Sequence, residues 1–108
     1  LLGICRGAQQ INIFCKGKLV KLKNHVRKKH QIFGTIIKNK KIKVNSYHDY
    51  AIIKKNLGKN LKILASSSDG SVECFYQKKN KWIGVMWHPE RNKVLSQFDI
   101  NLIKKIFN

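Results

Sequence analysis

Leu1 to Ile4 is an unbroken apolar run, and it leads at once into Gly3-Ile4-Cys5-Arg6-Gly7-Ala8-Gln9. A short run of this kind fits a strand buried on both faces, as in a parallel sheet. Gly-x-Cys-x-Gly then demands a sharp strand-to-helix turn that lifts the cysteine above the sheet edge. Gly3 and Gly7 are read as removing Cβ atoms that would crowd the turn. Few folds tolerate that sequence of events, and α/β sheets are the natural home for it.

Beyond the turn, Gly7 to Phe14 predicts a helix with a partial apolar face of Ala8, Ile11, Ile13 and Phe14, ended by Gly17. Lys18 to Val20 is a short extended piece, and Lys21 to His30 a basic, solvated stretch without a strong period. Gln31 to Ile37 predicts a strand, 38–41 a turn, and Ile42 to Tyr47 a half-buried strand. Tyr50 to Leu57 reads as either helical or extended. Leu61 to Ser66 and Val72 to Gln77 pair as a hairpin around Ser67-Ser68-Asp69-Gly70. Trp82 to Trp87 is the most apolar strand. A closing helix, about Gln97 to Phe107, carries Phe98, Leu102, Ile103, Ile106 and Phe107 at helical spacing. The pattern is α/β with an antiparallel insertion, and its first strand is short of neighbours. With no initial Met, 108 residues read as part of one longer domain.

The formal charge of +18 has two readings. It suits a polyanion-binding surface, or it follows from codon bias toward Lys, Ile and Asn, and codon bias fits the three arginines (Arg6, Arg27, Arg91) better. Cys5, Cys15 and Cys74 form an odd set without framework spacing, which points to free thiols and a cytoplasmic location. No apolar stretch is long enough to span a membrane.

The chemistry concentrates at two places. Amides at the start of a helix lower the pKa of a thiol such as Cys5 and offer donors to an oxyanion. Far along the chain stands Trp87-His88-Pro89-Glu90. His88 follows a buried strand, so it emerges at a sheet edge, where α/β sites lie. Glu90 can accept a hydrogen bond from its imidazole and select the tautomer.

These two motifs resemble the nucleophile and His/Glu motifs of class I glutamine amidotransferases, more closely those of the γ-glutamyl hydrolase-like branch. Asn45-Ser46-Tyr47-His48 resembles that branch's intermediate motif, and Asp69-Gly70-Ser71-Val72-Glu73 its Asp-Gly-x-Ile-Glu hairpin. In finer detail, Phe33, the Lys43 to Tyr47 stretch and the ten residues from Gly84 to Lys93 resemble bacterial γ-glutamyl-CDP-amidate hydrolases of surface-polysaccharide phosphoramidate synthesis. The resemblance implies the C-terminal part of a flavodoxin-like, three-layer domain with a mostly parallel sheet and an antiparallel hairpin, its N-terminal half missing. It implies a Cys5-His88-Glu90 triad that hydrolyses a γ-glutamyl amide through a thioester, with no cofactor and no metal. Arg6 would give one oxyanion contact through its N–H. Gln9 would help hold the glutamyl group, and Ser46 and Tyr47 would line its pocket. The bland readings are an exposed helix residue for Gln9 and an ordinary strand end for Ser46, Tyr47 and His48. Phe14-Cys15-Lys16-Gly17 departs from the family's Phe-Gly-Gly, so the loop there is expected to differ. The family's Gly-Gly oxyanion segment has no counterpart in these residues.

The implied partner is a small-molecule γ-glutamyl amide, with neither nucleic acid nor membrane. The alternative within the family is an ammonia-donating subunit working with a synthetase, and an inactive truncated piece is the other. Outside it stand a basic nucleic-acid-binding module, for which no helix-turn-helix or aromatic-basic interleaving appears, and a zinc site of Cys5, Cys15, His25 and His30. The cysteine spacing is wrong for zinc.

Overall fold

The computed structural model describes residues 1–21, 26–36, 42–47, 49–92 and 96–107, without the side chains of 26–28, 30, 106 and 107. Its elements are β1 (Leu2–Ile4), α1 (Arg6–Phe14), β2 (Val20–Lys21), β3 (Val26–Phe33), β4 (Ile42–Tyr47), β5 (Tyr50–Ala51), β6 (Lys62–Ser67), β7 (Val72–Gln77), β8 (Trp82–Val85) and α2 (Gln97–Phe107). Single 3-10 turns cover Lys54–Asn56 and Pro89–Arg91.

Six strands form one sheet in the order β1-β8-β7-β6-β3-β4, and β2 pairs with β5 apart from it. Among the described residues only β1 and β8 run parallel, with Gly3 opposite Gly84 and Ile4 opposite Val85. The remaining pairs of the sheet are antiparallel. The α/β class therefore holds, with the parallel character of this chain confined to the strand pair that leads into α1 and toward His88.

The sheet separates two apolar layers. On one side Ala8 and Ile11 of α1, with Cys15 at its C-terminal cap, pack with Val72, Phe75 and Met86. On the other, Leu102 of α2 packs with Ile83, Val85 and Trp87. Gly3 lets α1 lie close, since a Cβ there would stand 2.7 Å from the Gly7 carbonyl carbon and from Ile11. Gly7 does not match its expectation. A Cβ at that position would meet nothing within 4 Å, so its missing side chain relieves no crowding in the turn.

The apolar face expected for α1 is half right. Ala8 and Ile11 are buried, but Ile13 is 53% and Phe14 70% exposed. The inward positions are instead Asn12 and Cys15, which continue the i, i+3, i+4, i+7 stripe begun by Ala8 and Ile11. Asn12 is tolerated inside because its amide is fully used. Its Oδ1 accepts from the Gly58 N–H at 2.6 Å, and its Nδ2 donates to the carbonyls of Lys18 and Asn56. The helix ends with Lys16 at φ +73°, its N–H on the Ile13 carbonyl and the Gly17 N–H on that of Asn12. A Schellman motif normally has glycine at the Lys16 position. Gly17 then gives room, because a Cβ there would overlap the Asn12 amide.

A strand begins at Val26, inside the stretch expected to be irregular. β3 joins β6 only through Ile32 and Phe33, and otherwise pairs with β4 alone. A two-stranded ribbon of this kind needs no period-2 burial on β3, so the lysines gave no strand signal. The turn at 38–41 and His48 lie outside the described residues. β8 stops at Val85, two residues short of the expected end, although Met86 and Trp87 remain buried.

Candidate functional site

Cys5 closes β1 and stands at the N-cap of α1 with φ 50° and ψ −97°, a backbone conformation that costs a non-glycine residue about 1–3 kcal/mol. Its N–H donates to the Val85 carbonyl at 2.7 Å, so the parallel ladder extends one residue past Ile4 before the chain turns. That bond places Cys5 at the C-terminal edge of the sheet, beside the exit of β8. The side chain is buried, and burial pushes its thiol up from the ordinary range. The Arg6 backbone N–H and the Arg91 guanidinium pull it down, and the Glu73 and Glu90 carboxylates oppose them.

Three residues past the end of β8, His88 Nδ1 lies 2.6 Å from Glu90 Oε2. A carboxylate on Nδ1 holds the proton on that nitrogen and leaves Nε2 as the base. Burial works to raise the Glu90 carboxyl. The hydrogen bond from His88, the Glu90 backbone N–H and the charges of His88 and Arg91 outweigh it and lower the net value. Pro89 supplies the first residue of the 3-10 turn that folds Glu90 back, where its missing N–H is no loss.

The curl of the sheet brings β4 to the same place. Tyr47 meets the His88 imidazole edge-on at 5.9 Å, and the Arg91 guanidinium lies 4.3 Å over the Tyr47 ring. Ser46 is fully buried beside it. Arg6 and Gln9 occupy the first turn of α1, and Gln9 Nε2 donates to the Tyr50 carbonyl at 3.2 Å, tying α1 to β5. A hollow of about 340 Å³ opens between Arg6, Gln9, Leu19 and Tyr50. Cys5, His88, Glu90 and Tyr47 thus converge on one edge, with Arg6 and Gln9 on the adjoining helix.

Two residues of this edge stood in the motifs quoted from the sequence with no role assigned to them. Asn45 brackets the His88 backbone, with Oδ1 accepting from the His88 N–H at 2.7 Å and Nδ2 donating to its carbonyl at 2.8 Å. Nothing in local spacing couples positions so far apart. Glu73 is fully buried next to Cys74 in β7. A carboxylate inside the run Val72 to Phe75 was a legible signal, since buried charge is rarely retained without a role. The zinc quartet fails on geometry. Cys5 and Cys15 sit at opposite ends of α1, about 15 Å apart by helical rise. His25 and the His30 side chain lie outside the described residues. Among the described residues no cluster of His, Cys, Asp and Glu could hold a metal.

The family model described as Glutamine amidotransferase class-I matches residues 1–108. The chain belongs to the class I glutamine amidotransferase family. It is 37% identical over its whole length to a γ-glutamyl-CDP-amidate hydrolase of Campylobacter jejuni, of which it covers 50%. It is 31% identical over 105 residues to a glutamine-hydrolysing GMP synthase of Wigglesworthia glossinidia brevipalpis, covering 83% of this chain and 20% of that one. A GMP synthase-type protein of Thermoplasma acidophilum superposes with a TM-score of 0.79 at 28% identity, over 97% of this chain and 54% of its own. The chain therefore spans about half the length of the Campylobacter relative and of the Thermoplasma structure. The relatives are enzymes of hydrolytic and amidotransferase type. No helix among the described residues is long and apolar enough to cross a membrane.

Proposed function

We propose that this amidotransferase chain carries the Cys-His-Glu half of a γ-glutamyl amide hydrolase site, with γ-glutamyl-CDP-amidate as its substrate. The observation that carries the reading is the His88–Glu90 hydrogen bond at 2.6 Å, set at the exit of the strand that pairs with the one ending in Cys5. The identity to the Campylobacter hydrolase supports the choice of substrate.

In this reading His88 Nε2 takes the Cys5 proton as the sulfur bonds to the γ-carbonyl carbon. The Arg6 N–H stabilises the oxyanion, and Gln9, Ser46 and Tyr47 hold the glutamyl group. His88 then returns the proton to the departing nitrogen as the C–N bond breaks, leaving a γ-glutamyl thioester. Water, deprotonated by His88, attacks the thioester, and glutamate leaves as the thiol is restored. Glu90 holds the imidazole in register throughout. The three buried free thiols fit a cytoplasmic setting.

The test is Cys5→Ala and Cys5→Ser in the complete polypeptide that carries this chain, assayed for glutamate release from γ-glutamyl-CDP-amidate. Both variants should fold and lose the activity; turnover that persists in either sinks the reading. The match to GMP synthase favours a second reading, a glutaminase that hands ammonia to a synthetase. In that case free glutamine is the better substrate, and its hydrolysis rises when a partner is added.

A further inference from the structure

We infer that Asn45 is the residue that positions His88 for proton transfer, an inference that rests on the reading of His88 as the base. The ladder partner of β8 on one side is β1, and it is exhausted at the Cys5 N–H to Val85 carbonyl bond. On the other side Met86 is the last residue held, its N–H on the Glu73 carbonyl at 2.8 Å. The chain then passes Trp87 and reaches His88, which pairs with no strand among the described residues. Pro89 follows and has no N–H to offer.

Asn45 fills that gap from β4, at the far end of the sheet order. A side-chain amide presents one donor and one acceptor side by side, the same pair that a neighbouring peptide would present. Asn45 uses both on one residue, at 2.7 Å to the His88 N–H and 2.8 Å to the His88 carbonyl. The amide is buried, so neither bond is readily exchanged for water. A second contact from Asn45 Nδ2 reaches Asn92 Oδ1 at 3.4 Å, just past the turn that carries Glu90. The backbone on both sides of the His88 Cα is therefore held, and Nδ1 is held by Glu90. Together they leave the imidazole little freedom. Proton transfer depends steeply on such placement, since a shift of about 1 Å can cost on the order of 10²-fold in rate.

The experiment compares the unaltered complete polypeptide with Asn45→Ala, Asn45→Thr and His88→Ala. It reads glutamate release and the pH profile of Cys5 alkylation by iodoacetamide, with Cys15 and Cys74 replaced by alanine in all four proteins. Asn45→Ala should lower kcat by roughly 10- to 100-fold with KM little changed. It should also move the alkylation midpoint to higher pH, toward that of His88→Ala, because a displaced imidazolium no longer favours the thiolate. Asn45→Thr suits a strand and keeps one hydroxyl, so it reports the same upward shift if the alanine variant unfolds. A purely structural asparagine would lower the melting temperature and leave the midpoint of the folded protein alone. An unchanged kcat and midpoint in the Asn45 variants, with His88→Ala shifted, overturns the inference by itself. Coincident profiles for His88→Ala and the unaltered protein overturn both it and the reading of His88.

Discussion

The Trp87 indole N–H donates to Asp99 Oδ1 at 2.8 Å, which ties the residue before His88 to the first turn of α2. Asp99 also accepts from the Ser96 hydroxyl through Oδ2, while the Asp99 N–H donates back to Ser96 Oγ at 3.1 Å. This reciprocal cap satisfies two groups at the helix start and places a carboxylate where the helix dipole favours it. One buried side chain thus anchors both the helix and the approach to the candidate site.

Asp99→Ala should therefore destabilise the fold by about 2–3 kcal/mol, the sum of a carboxylate lost from the helix start and a buried indole N–H left without an acceptor. Asp99→Asn keeps an acceptor for Trp87 and should lose about half as much. Denaturant titration measures both, and equal losses would mean that the indole bond contributes nothing.

At Cys5 the ranking of glycine and alanine should invert. Alanine is ordinarily the more stable replacement by about 0.5–1 kcal/mol. At φ 50° and ψ −97° only glycine is unstrained, so Cys5→Gly should match or exceed Cys5→Ala in stability by about 1 kcal/mol. Both should be inactive. Alanine proving clearly the more stable would show that the turn relaxes at no cost.

Gly3 and Gly7 should separate cleanly under the same substitution. Gly3→Ala forces a methyl against the α1 backbone and should cost about 1–3 kcal/mol, with loss of activity as α1 and Cys5 shift. Gly7→Ala meets open space inside a helix and should leave stability unchanged or raise it by up to about 1 kcal/mol. Thermal melts of the two variants check the contrast.

Glu90→Gln should lower hydrolysis by about 10²-fold or more, since an amide cannot stabilise the imidazolium that forms during the reaction. The pH dependence has a definite sign. The Glu90 carboxyl lies below its ordinary value in the folded chain. The pair's contribution is therefore complete above the ordinary carboxylate range and is lost as pH falls through the lowered value. The acid limb of stability should flatten in Glu90→Gln, and an identical limb would remove the ion pair from the account.

Cys74 contributes to the opposite limb. Burial, aided by the Glu73 charge, pushes its thiol far above the ordinary value of 9.0. Above pH 9 the unfolded chain loses this proton and the folded chain keeps it. Stability, complete below that pH, should then fall by about 1.4 kcal/mol per pH unit from this group alone. Cys74→Ala removes the group, so its alkaline slope should be shallower by that amount. Urea midpoints between pH 8 and 10.5 measure the difference.

Local sequence determined much of this protein. The apolar run, the glycine at position 3 and the periodic stretch of Gln97 to Phe107 specify a strand, its turn and a helix, because each rests on contacts between near neighbours. The β6–β7 hairpin is equally legible, since Asp69-Gly70 sets its turn and Gly70 takes φ +87° there. Of β3 only Gln31 to Phe33 fell inside an expected strand; the rest was not legible, because a ribbon paired mainly with β4 needs no alternation of polar and apolar residues. Asn12 and Cys15 replaced Ile13 and Phe14 on the buried side of α1 for a related reason: the stripe is chosen by what the helix packs against, and Asn12 found partners at Lys18 and at the distant Asn56 and Gly58.

Tertiary structure alone decided how the parts of the candidate site meet. Cys5 and His88 are each placed at a strand exit by their own neighbours. That both exits lie on one edge follows from the parallel register of Ile4 with Val85, a choice made by long-range hydrogen bonding. Asn45 and Tyr47 arrive from the last strand in the sheet order because the sheet curls, and curvature is a sum over many strands that no single segment encodes.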